Sequence, residues 1–470
     1  MQDRRLTPVD SFRDQAAVFY ERRRWLTLPT LCLAVLIAQL DTSVVNLALQ
    51  PIGAHFHAEV GALQWVVDGY NLVYAVLLLT GGLLADLYGR RRIFVAGAAV
   101  FTVASLICAV APTMLVLIGG RALAGVGSAL LLPASLAVIR VVWSEPKQRG
   151  RMLGIWTACN GLAFAVGPTV GGFLIAHLGW RSIFLVVVPV GVAAVALALP
   201  AIPESSDPQG RHFDAAAQVL GALALGGFAV AAIESRGTII PAVLGLIVAL
   251  AALILFIKVE RKRGQAALVP LDMFRIPEFC AGAAATAGMT FGMYGALFLL
   301  PLTWQATGRL DPVGAGIALM PMALVFVFVS PFSGPLESRF GARVMTGGGV
   351  GLIGLGLLVI GLTVDFISIV PAEIGLGLTG LGMGLATGPL MGTAVGAVSP
   401  ARSGTAAALI NVARMAGATT GVAILGAVIT VVQSGPGGLR LAMLIGGLAQ
   451  LTSAAVAWRS TGASVVPQGG

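Results

Sequence analysis

The sequence has very few charged residues for its length. Asp, Glu, Lys and Arg make up only 10% of its 470 residues, whereas about 25% is usual in soluble proteins. Hydrophobic residues make up 57%, and the mean hydropathy is +0.93. A chain of this composition cannot surround a water-soluble core with polar side chains. The composition therefore excludes the soluble globular, disordered and disulfide-scaffold classes and predicts an integral membrane protein.

Cysteine, lysine and histidine are also scarce. The four cysteines all fall in apolar stretches, which indicates buried thiols rather than a disulfide framework. None of the three lysines follows a glycine-rich phosphate loop, so the sequence does not indicate ATP-driven pumping. His55 and His57 are two loop histidines without a third ligand. We therefore expect no metal, no bound cofactor and no enzymatic activity.

Long apolar runs take up most of the chain. A helix of about 20 apolar residues crosses the hydrocarbon core of a bilayer, and runs of this length exclude a transmembrane barrel. The sequence predicts an all-α membrane protein with fourteen transmembrane helices, at 26–49, 62–84, 93–111, 114–139, 151–176, 182–200, 214–234, 238–258, 279–301, 312–334, 344–364, 367–392, 403–432 and 439–458.

The basic residues predict the orientation. If the N-terminus is cytoplasmic, the loops on the opposite side contain only Arg181, Arg236, Arg309 and Arg440, and most other arginines and all lysines lie inside. An even number of helices returns the C-terminus to the cytoplasm. We expect a multi-pass protein of the inner (plasma) membrane that is monomeric and surrounded by lipid. The net charge of +9 is explained by these loops, and the chain has no basic patch with interleaved aromatics that would indicate nucleic acid. The first apolar helix is expected to act as the insertion signal.

Two sequence pairs indicate an internal repeat. Gly82–Arg91 recurs in weaker form as Gly334–Arg343, 252 residues later, and Asn160 recurs as Asn411 after 251 residues. A parallel repeat of six helices is typical of transporters with a site between two halves. We predict a basic arm at 1–25, an N-terminal six-helix bundle at 26–200, an inserted helix pair at 201–265, a C-terminal six-helix bundle at 266–460 and a tail at 461–470.

Four motifs resemble the major facilitator superfamily, in particular its fourteen-helix drug:proton antiporter branch. Gly82–Arg91 is similar to the loop between helices two and three, and Leu40–Leu49 to the signature of the first helix. The run Leu117–Gly127 resembles the arginine motif of the fourth helix. The fifth helix contains the glycines and proline of the antiporter motif, Gly167, Pro168, Gly171 and Gly172. Leu87, Ala124 and the delayed proline of Gln50–Pro51 depart from the family pattern.

The resemblance implies specific roles for these motifs. Gly82, Asp86, Gly89, Arg90 and Arg91 are expected to form a cytoplasmic gate whose contacts exist in one conformation and break in the other. The alternative is a tether that merely satisfies the positive-inside rule. Pro168 permits a bend, and the resemblance implies that this bend faces the partner bundle and limits leakage. A passive kink is the alternative.

Charged residues inside the spans are costly, at about 2.5–3.5 kcal/mol for a central Asp or Arg, and therefore suggest function. Asp41, Asp68 and Arg121 are the candidates for proton coupling. Gln64, Asp68 and Asn71 share one face of the second helix and are expected to face a wet cavity. The other predicted cavity residues are Thr42, Asn46, Asn160 and Trp304. The roles of Arg414 and Glu373 are open.

These features predict a proton-coupled exporter of small hydrophobic or cationic compounds. A carboxyl group in a low-dielectric site favours its protonated form, a cationic cargo favours the ionised form, and by linkage each expels the other. The alternative is that an acid pairs with a buried arginine as a purely structural contact. The same fold is also compatible with an exporter of one metabolite, siderophore or lipid-like compound, and with a receptor that binds without transport.

Overall fold

The computed structural model describes residues 8–207, 214–234, 239–264, 269–399, 402–431 and 435–460. Across these ranges the chain is helical and contains no strand. Fourteen helices are long and apolar enough to cross a membrane, which confirms the predicted number. They are α1 (Trp25–Phe56), α2 (Val60–Tyr88), α3 (Arg90–Val110), α4 (Met114–Val142), α5 (Lys147–Leu178), α6 (Ser182–Ala201), α7 (Ala215–Ile233), α8 (Ile240–Arg263), α9 (Pro277–Ala306), α10 (Pro312–Phe340), α11 (Val344–Leu362), α12 (Val370–Gly396), α13 (Thr405–Ile429) and α14 (Gly437–Arg459).

Several of these helices extend or break where the sequence requires it. The helix that contains α1 already begins at Pro8. In α10 the regular helix ends at Val329 and a 3₁₀ turn follows over Ser330–Phe332, because the proline at 331 has no N–H to donate to the preceding turn. A π-turn over Val344–Gly348 opens α11.

The helices form two bundles with the same internal packing. In the first bundle α4 packs against α2 and α3, and α5 packs against α1; in the second, α12 packs against α10 and α11, and α13 packs against α9. Gly89 and Gly341 occupy the same turn of the two repeats, and both have positive φ, 109° and 86°. This correspondence confirms two six-helix bundles with an inserted pair. The sequence boundaries predicted between the units stay predictions.

The inserted pair, α7 and α8, attaches to the first bundle through α7. Gly227 and Gly245 let α7 and α8 cross closely, since a Cβ on either would lie 2.7–2.8 Å from the other's backbone. Gln218 accepts a hydrogen bond from Thr80 and donates one to the Val76 carbonyl, both on α2. Helix α7 also packs against α13, so it covers the junction between α2 and α13.

The segment between α8 and α9 mixes apolar and basic residues, and the sequence alone is compatible with either a surface-lying stretch or a plain linker. The structure shows a short 3₁₀ helix there, Leu271–Arg275. Met273 of this helix is buried in an apolar cluster with residues of α9, α12 and α13, while Phe274 is exposed. Val269 and Met273 therefore anchor the segment in this cluster of the second bundle, and Leu271 and Ile276 pack against it.

Candidate functional site

A buried ion pair joins α1 to α4 inside the first bundle. The Arg121 Nη1 donates to both carboxylate oxygens of Asp41, at 2.8 Å to Oδ1 and 2.6 Å to Oδ2. Both side chains are almost fully excluded from solvent. The sequence left two interpretations of Asp41 open, a proton-coupling group and a structural partner of a buried arginine. The pairing agrees with the structural interpretation, and it also puts a titratable carboxyl group next to a fixed positive charge.

Arg121 also holds α2. Its Nε donates to the Val66 carbonyl at 3.0 Å, and its guanidinium lies over the Tyr70 ring, 4.7 Å from the centroid. The Tyr70 hydroxyl is 2.8 Å from the Ser128 Oγ of α4, and the ring stacks on Tyr74 at 6.0 Å. The ion pair is thus the centre of a network that spans three helices. Tyr70 is among the aromatic residues that the sequence offers for a cavity lining, but the sequence does not predict that Tyr70 or Ser128 belongs to the Arg121 network, because a tyrosine and a serine inside apolar helices are ordinary packing residues.

The polar stripe of α2 is buried in this conformation. Gln64, Asp68 and Asn71 are all excluded from solvent, because the stripe lies against α13: the Gln64 Nε2 donates to the carbonyls of Val422 and Ala423, at 2.8 and 2.9 Å. That these residues face a wet cavity stays a prediction. Asp68 is 0% exposed, and neither of its oxygens has a hydrogen-bond partner among the described residues.

The remaining predicted cavity residues are mostly enclosed as well. Thr42 donates to the Ala38 carbonyl at 2.8 Å, and Asn46 donates to the Thr42 carbonyl at 3.2 Å. Trp304 is buried near the end of α9 that precedes the α9–α10 turn. The Asn160 side chain lies outside the described residues. Their assignment to a substrate cavity stays a prediction, and this conformation shows only Thr42 partly exposed.

The bundles meet along a seam that is closed at one end. We call the end with the α1–α2 turn the outer end and the end with the α2–α3 turn the inner end, after the predicted orientation. Near the outer end, the Gln305 Nε2 of α9 donates to the Leu47 carbonyl of α1 at 2.9 Å. Together with the Gln64 contacts, this bond joins α1 and α2 of the first bundle to α9 and α13 of the second.

The antiporter motif forms the other side of this seam. A Cβ on Gly172 would lie 2.5 Å from the Pro312 carbonyl oxygen of α10, and a Cβ on Gly316 of α10 would collide with the Pro168 carbonyl. Gly167 and Gly171 instead face α1, where a Cβ would collide with side chains of that helix. The small residues of α5 therefore permit close approach to the partner bundle on one face and to α1 on the other.

The predicted gate residues contact their own bundle. Asp86 accepts from the Arg90 Nη2 at 2.8 Å, and the Arg90 N–H donates to the Ser205 carbonyl at 2.9 Å. The Arg91 N–H donates to the Glu204 carboxylate at 3.2 Å. A Cβ on Gly89 would lie 2.6 Å from the same carboxylate, while Gly82 is not tightly packed. The gate motif thus docks on the segment that follows α6.

Comparison with known proteins identifies the family. The model of the Major Facilitator Superfamily matches residues 31–422. The chain belongs to the major facilitator superfamily. This transporter is 35% identical to multidrug resistance protein Stp of Mycobacterium tuberculosis, over 87% of this chain and 76% of that protein. It is 33% identical to a methylenomycin A resistance protein of Bacillus subtilis, over 92% and 93%. The motif resemblance to drug-efflux transporters is therefore confirmed.

A solved structure shows the same fold. A bacterial homologue of the human lysosomal transporter Spinster, in an inward-facing and unoccupied conformation, superposes with a TM-score of 0.66 at 17% identity, over 93% of this chain and 97% of that one. The agreement extends the shared architecture across nearly all of both chains.

Proposed function

We propose that this transporter is a proton-coupled secondary exporter of small organic compounds that works by alternating access in the inner (plasma) membrane, with both termini in the cytoplasm. The observation that carries the proposal is the buried Asp41–Arg121 pair and its direct attachment to the seam. A carboxylate in a membrane-spanning segment costs considerable free energy, so an acid at such a position indicates a functional role.

The path from the Asp41–Arg121 pair to the seam between the bundles is short. Arg121 bonds the Val66 carbonyl, and two residues earlier Gln64 bonds α13 of the partner bundle. Protonation of Asp41 removes the negative charge that holds the Arg121 guanidinium and leaves the arginine free to move. A change in the hydrogen bond to Val66 then acts on the first turns of α2, where the outer seam is closed. Proton occupancy and seam closure can thus bias each other without a long relay.

The pattern of interbundle contacts supports alternating access. The described hydrogen bonds between bundles, from Gln64 and Gln305, lie toward the outer end. At the inner end, Arg90 pairs with Asp86, and Arg91 pairs with Glu204 in the segment that follows α6. With the predicted orientation, an outer end closed by Gln64 and Gln305 fits a state that is accessible from the cytoplasm. The opposite state requires the gate residues to exchange these partners for partners on the second bundle.

Reconstitution tests this proposal. Purified protein in proteoliposomes with an acidic lumen is expected to accumulate ethidium when oriented inside-out, because protons leaving the lumen drive the exchange. A protonophore should abolish accumulation, and a sodium gradient should not replace the proton gradient. Accumulation that ignores the proton gradient would contradict the coupling.

A second candidate is export of a single compound on the same fold. It is favoured by the relative named for resistance to one antibiotic, methylenomycin A, which aligns with this chain over 93% of its own length. Growth inhibition should be profiled across a panel of chemically unrelated antibiotics, with and without expression of the transporter. Protection against many compounds supports multidrug efflux, whereas protection against one structural class supports the second candidate.

A further inference from the structure

One charge inside the membrane has no partner among the described residues that neutralises it. Arg414 lies in the first half of α13, and its Nε is buried without a hydrogen-bond partner. No ion pair to Arg414 is present in the described ranges, whereas Arg121 has Asp41. An arginine stays protonated in proteins under all ordinary conditions. The Arg414 side chain is half-buried overall, and its Nε is the atom that lies out of contact with solvent and without a hydrogen-bond partner.

Arg414 faces the seam between the bundles. It lies close enough to the Tyr74 hydroxyl of α2 and the Tyr294 hydroxyl of α9 to interact with both electrostatically. Gln64 of α2 meets Val422 and Ala423 of α13, so α2 and α13 run antiparallel here. Two anchors therefore fix the register of α2 against α13: the Gln64 contacts, and the approach of Tyr74 to Arg414. They are about 15 Å apart along α2.

Unsatisfied polar atoms collect between these two anchors. Both side-chain atoms of Asn71, the Thr419 hydroxyl and both Asp68 oxygens are buried without hydrogen-bond partners in the described part of the chain. Buried polar atoms without partners are rare in folded proteins. Several of them on facing stretches of α2 and α13, beside an unpaired arginine, indicate a place where a ligand supplies the missing partners.

The charge at this place is positive. The stretches between the anchors, 65–73 and 415–421, contain a single acid, Asp68. An isolated carboxylate that is 0% exposed and has no hydrogen bond from the described residues is far costlier than the neutral acid, so Asp68 is expected to be protonated here. The Asp41–Arg121 pair cancels itself. Arg414, immediately before the second of these stretches, then supplies the net charge at this place.

We propose that Arg414 recognises an anionic group of the cargo, a carboxylate or phenolate on an apolar aromatic skeleton. Tyr74 and Tyr294, which interact electrostatically with Arg414, would provide aromatic surfaces for this skeleton, and the unpartnered side chains of Asn71 and Thr419 would supply further hydrogen bonds. This inference rests on the proposed export function and changes its substrate class, since the sequence predicted a hydrophobic or cationic cargo from the acids alone. A free inorganic anion such as chloride would have the same chemistry at this arginine, and titration in chloride-free buffer separates the two sources.

An anionic cargo also indicates which acid carries the exchanged proton. A negative charge beside Asp68 favours the protonated acid, so by reciprocity cargo and proton assist each other there instead of competing. The proton that is exchanged for cargo must then leave from Asp41, which is in another helix pair. Outward movement of an anion and inward movement of a proton both carry positive charge inward, so the membrane potential assists both movements.

Equilibrium binding without any gradient tests the site independently of transport. The full chain in detergent is titrated with three probes of one skeleton: 2-naphthoate, neutral 2-naphthamide and cationic 2-naphthylmethylammonium. We expect 2-naphthoate to bind at least about 10-fold more tightly than the cation. Arg414→Gln should weaken 2-naphthoate by about 10- to 100-fold, as expected for loss of a charge-assisted hydrogen bond, and change 2-naphthamide by less than about 3-fold. Arg414→Lys should recover part of the loss.

Matched variants and buffers decide between the outcomes. Arg402→Gln, at an arginine that precedes the inner end of the same helix and pairs with Asp272, should leave 2-naphthoate binding unchanged. All titrations are repeated in sulfate instead of chloride, since a carboxylate counter-ion would itself compete for the site. If chloride competes with the probe only at millimolar excess, the cargo acid is the ligand; if 2-naphthamide binding requires chloride and Arg414→Gln removes that requirement, chloride occupies the site and the proposal is overturned.

Two further results would also overturn it. One is a preference for the cation that Arg414→Gln leaves intact. The other is rescue of Arg414→Gln by Asp68→Asn, which would identify Arg414 as the partner of Asp68 in another conformation. If the proteoliposomes accumulate neither ethidium nor 2-naphthoate in response to the proton gradient while selective binding of 2-naphthoate holds, the export proposal falls and the anion site stands. Proton-driven accumulation without selective binding of 2-naphthoate rejects the anion site alone.

Discussion

The two six-helix bundles share a packing plan but not a charge distribution. The first contains Asp41, Asp68 and Arg121 deep in its helices, and at the repeat offset of 252 residues the second has Met293 and Met320 in place of the two acids. The second bundle contributes the carbonyls of α13 that receive Gln64, and the unneutralised arginine. A duplicated scaffold can thus separate the roles, with the titratable acids in one half and the ligand-recognition charge in the other.

The largest difference between the halves is expected at Asp41. Asp41→Asn leaves the Arg121 charge buried without its counter-ion and should lower the free energy of unfolding by about 3 kcal/mol, with loss of proton-driven accumulation. The equivalent Met293→Leu should change the free energy of unfolding by less than about 1.5 kcal/mol. Thermal unfolding of the purified variants and accumulation in proteoliposomes measure both effects.

Asp68→Asn is the control for this comparison, because Asp68 has no hydrogen-bond partner among the described residues to lose. It should unfold within about 1 kcal/mol of the unsubstituted protein, since neutral acid and amide are similar in shape and polarity. If Asp41→Asn proves as stable as Asp68→Asn, the ion pair does not hold the first bundle together.

The two repeat glycines give the next largest effect. Gly89→Ala and Gly341→Ala both force a positive φ on a residue with a Cβ, which costs about 1–2 kcal/mol. Only Gly89→Ala also collides with Glu204, because no described atom lies near the Cβ position of Gly341. Gly89→Ala should therefore lower the melting temperature more than Gly341→Ala does. Equal shifts would show that the gate loop yields to the methyl group without cost.

The two seam glutamines sharpen the comparison at the outer end. Gln64 makes two interbundle bonds and Gln305 makes one, at about 1 kcal/mol each. Gln64→Leu should therefore favour opening of the outer end more than Gln305→Leu. Spin labels across the outer ends of α2 and α13 measure the distance distribution, and a distribution unchanged in both variants would mean that apolar packing alone closes the seam.

The smallest effect is expected at the exposed Asp272–Arg402 pair. The hydrogen bond from Arg402 lowers the pKa of Asp272, so the pair stabilises the fold above the unfolded-state pKa of about 3.9 and loses that contribution as the pH falls through the lower folded-state value. Because the pair is exposed, Asp272→Asn should cost at most about 1 kcal/mol at pH 7 and nothing near pH 2. Unfolding of both proteins at the two pH values measures this.

The sequence predicts the helices well because hydrophobic run length is a local property. All fourteen spans appear in the predicted order and overlap their predicted ranges, and the weak Gly334–Arg343 repeat contains a second positive-φ turn, at Gly341. The partner of a buried charge, in contrast, cannot be predicted from a local property of the sequence. Asp41 and Arg121 are 80 residues apart, and their contact depends on the rotation of α1 and α4 about their axes, which close packing of many small residues decides.

The burial of the α2 stripe against α13 could not be predicted for a related reason. Spacing correctly puts Gln64, Asp68 and Asn71 on one face, but whether that face meets water or α13 depends on which end of the seam is closed. One sequence must be compatible with both arrangements, so periodicity alone cannot choose between them.

The attachment of α7 to α2 makes the two long flanks of the molecule unequal. Gln218 holds α7 at one end, and Glu234, just past its last residue, accepts from the Trp65 indole at 3.3 Å at the other. Helix α7 thereby covers the junction of α2 and α13. In the described part of the chain, no helix covers the junction of α5 and α10 in the same way. Lipid acyl chains must therefore contact the α5–α10 junction directly. Bilayer thickness and lipid unsaturation are expected to act on the transporter from this flank only.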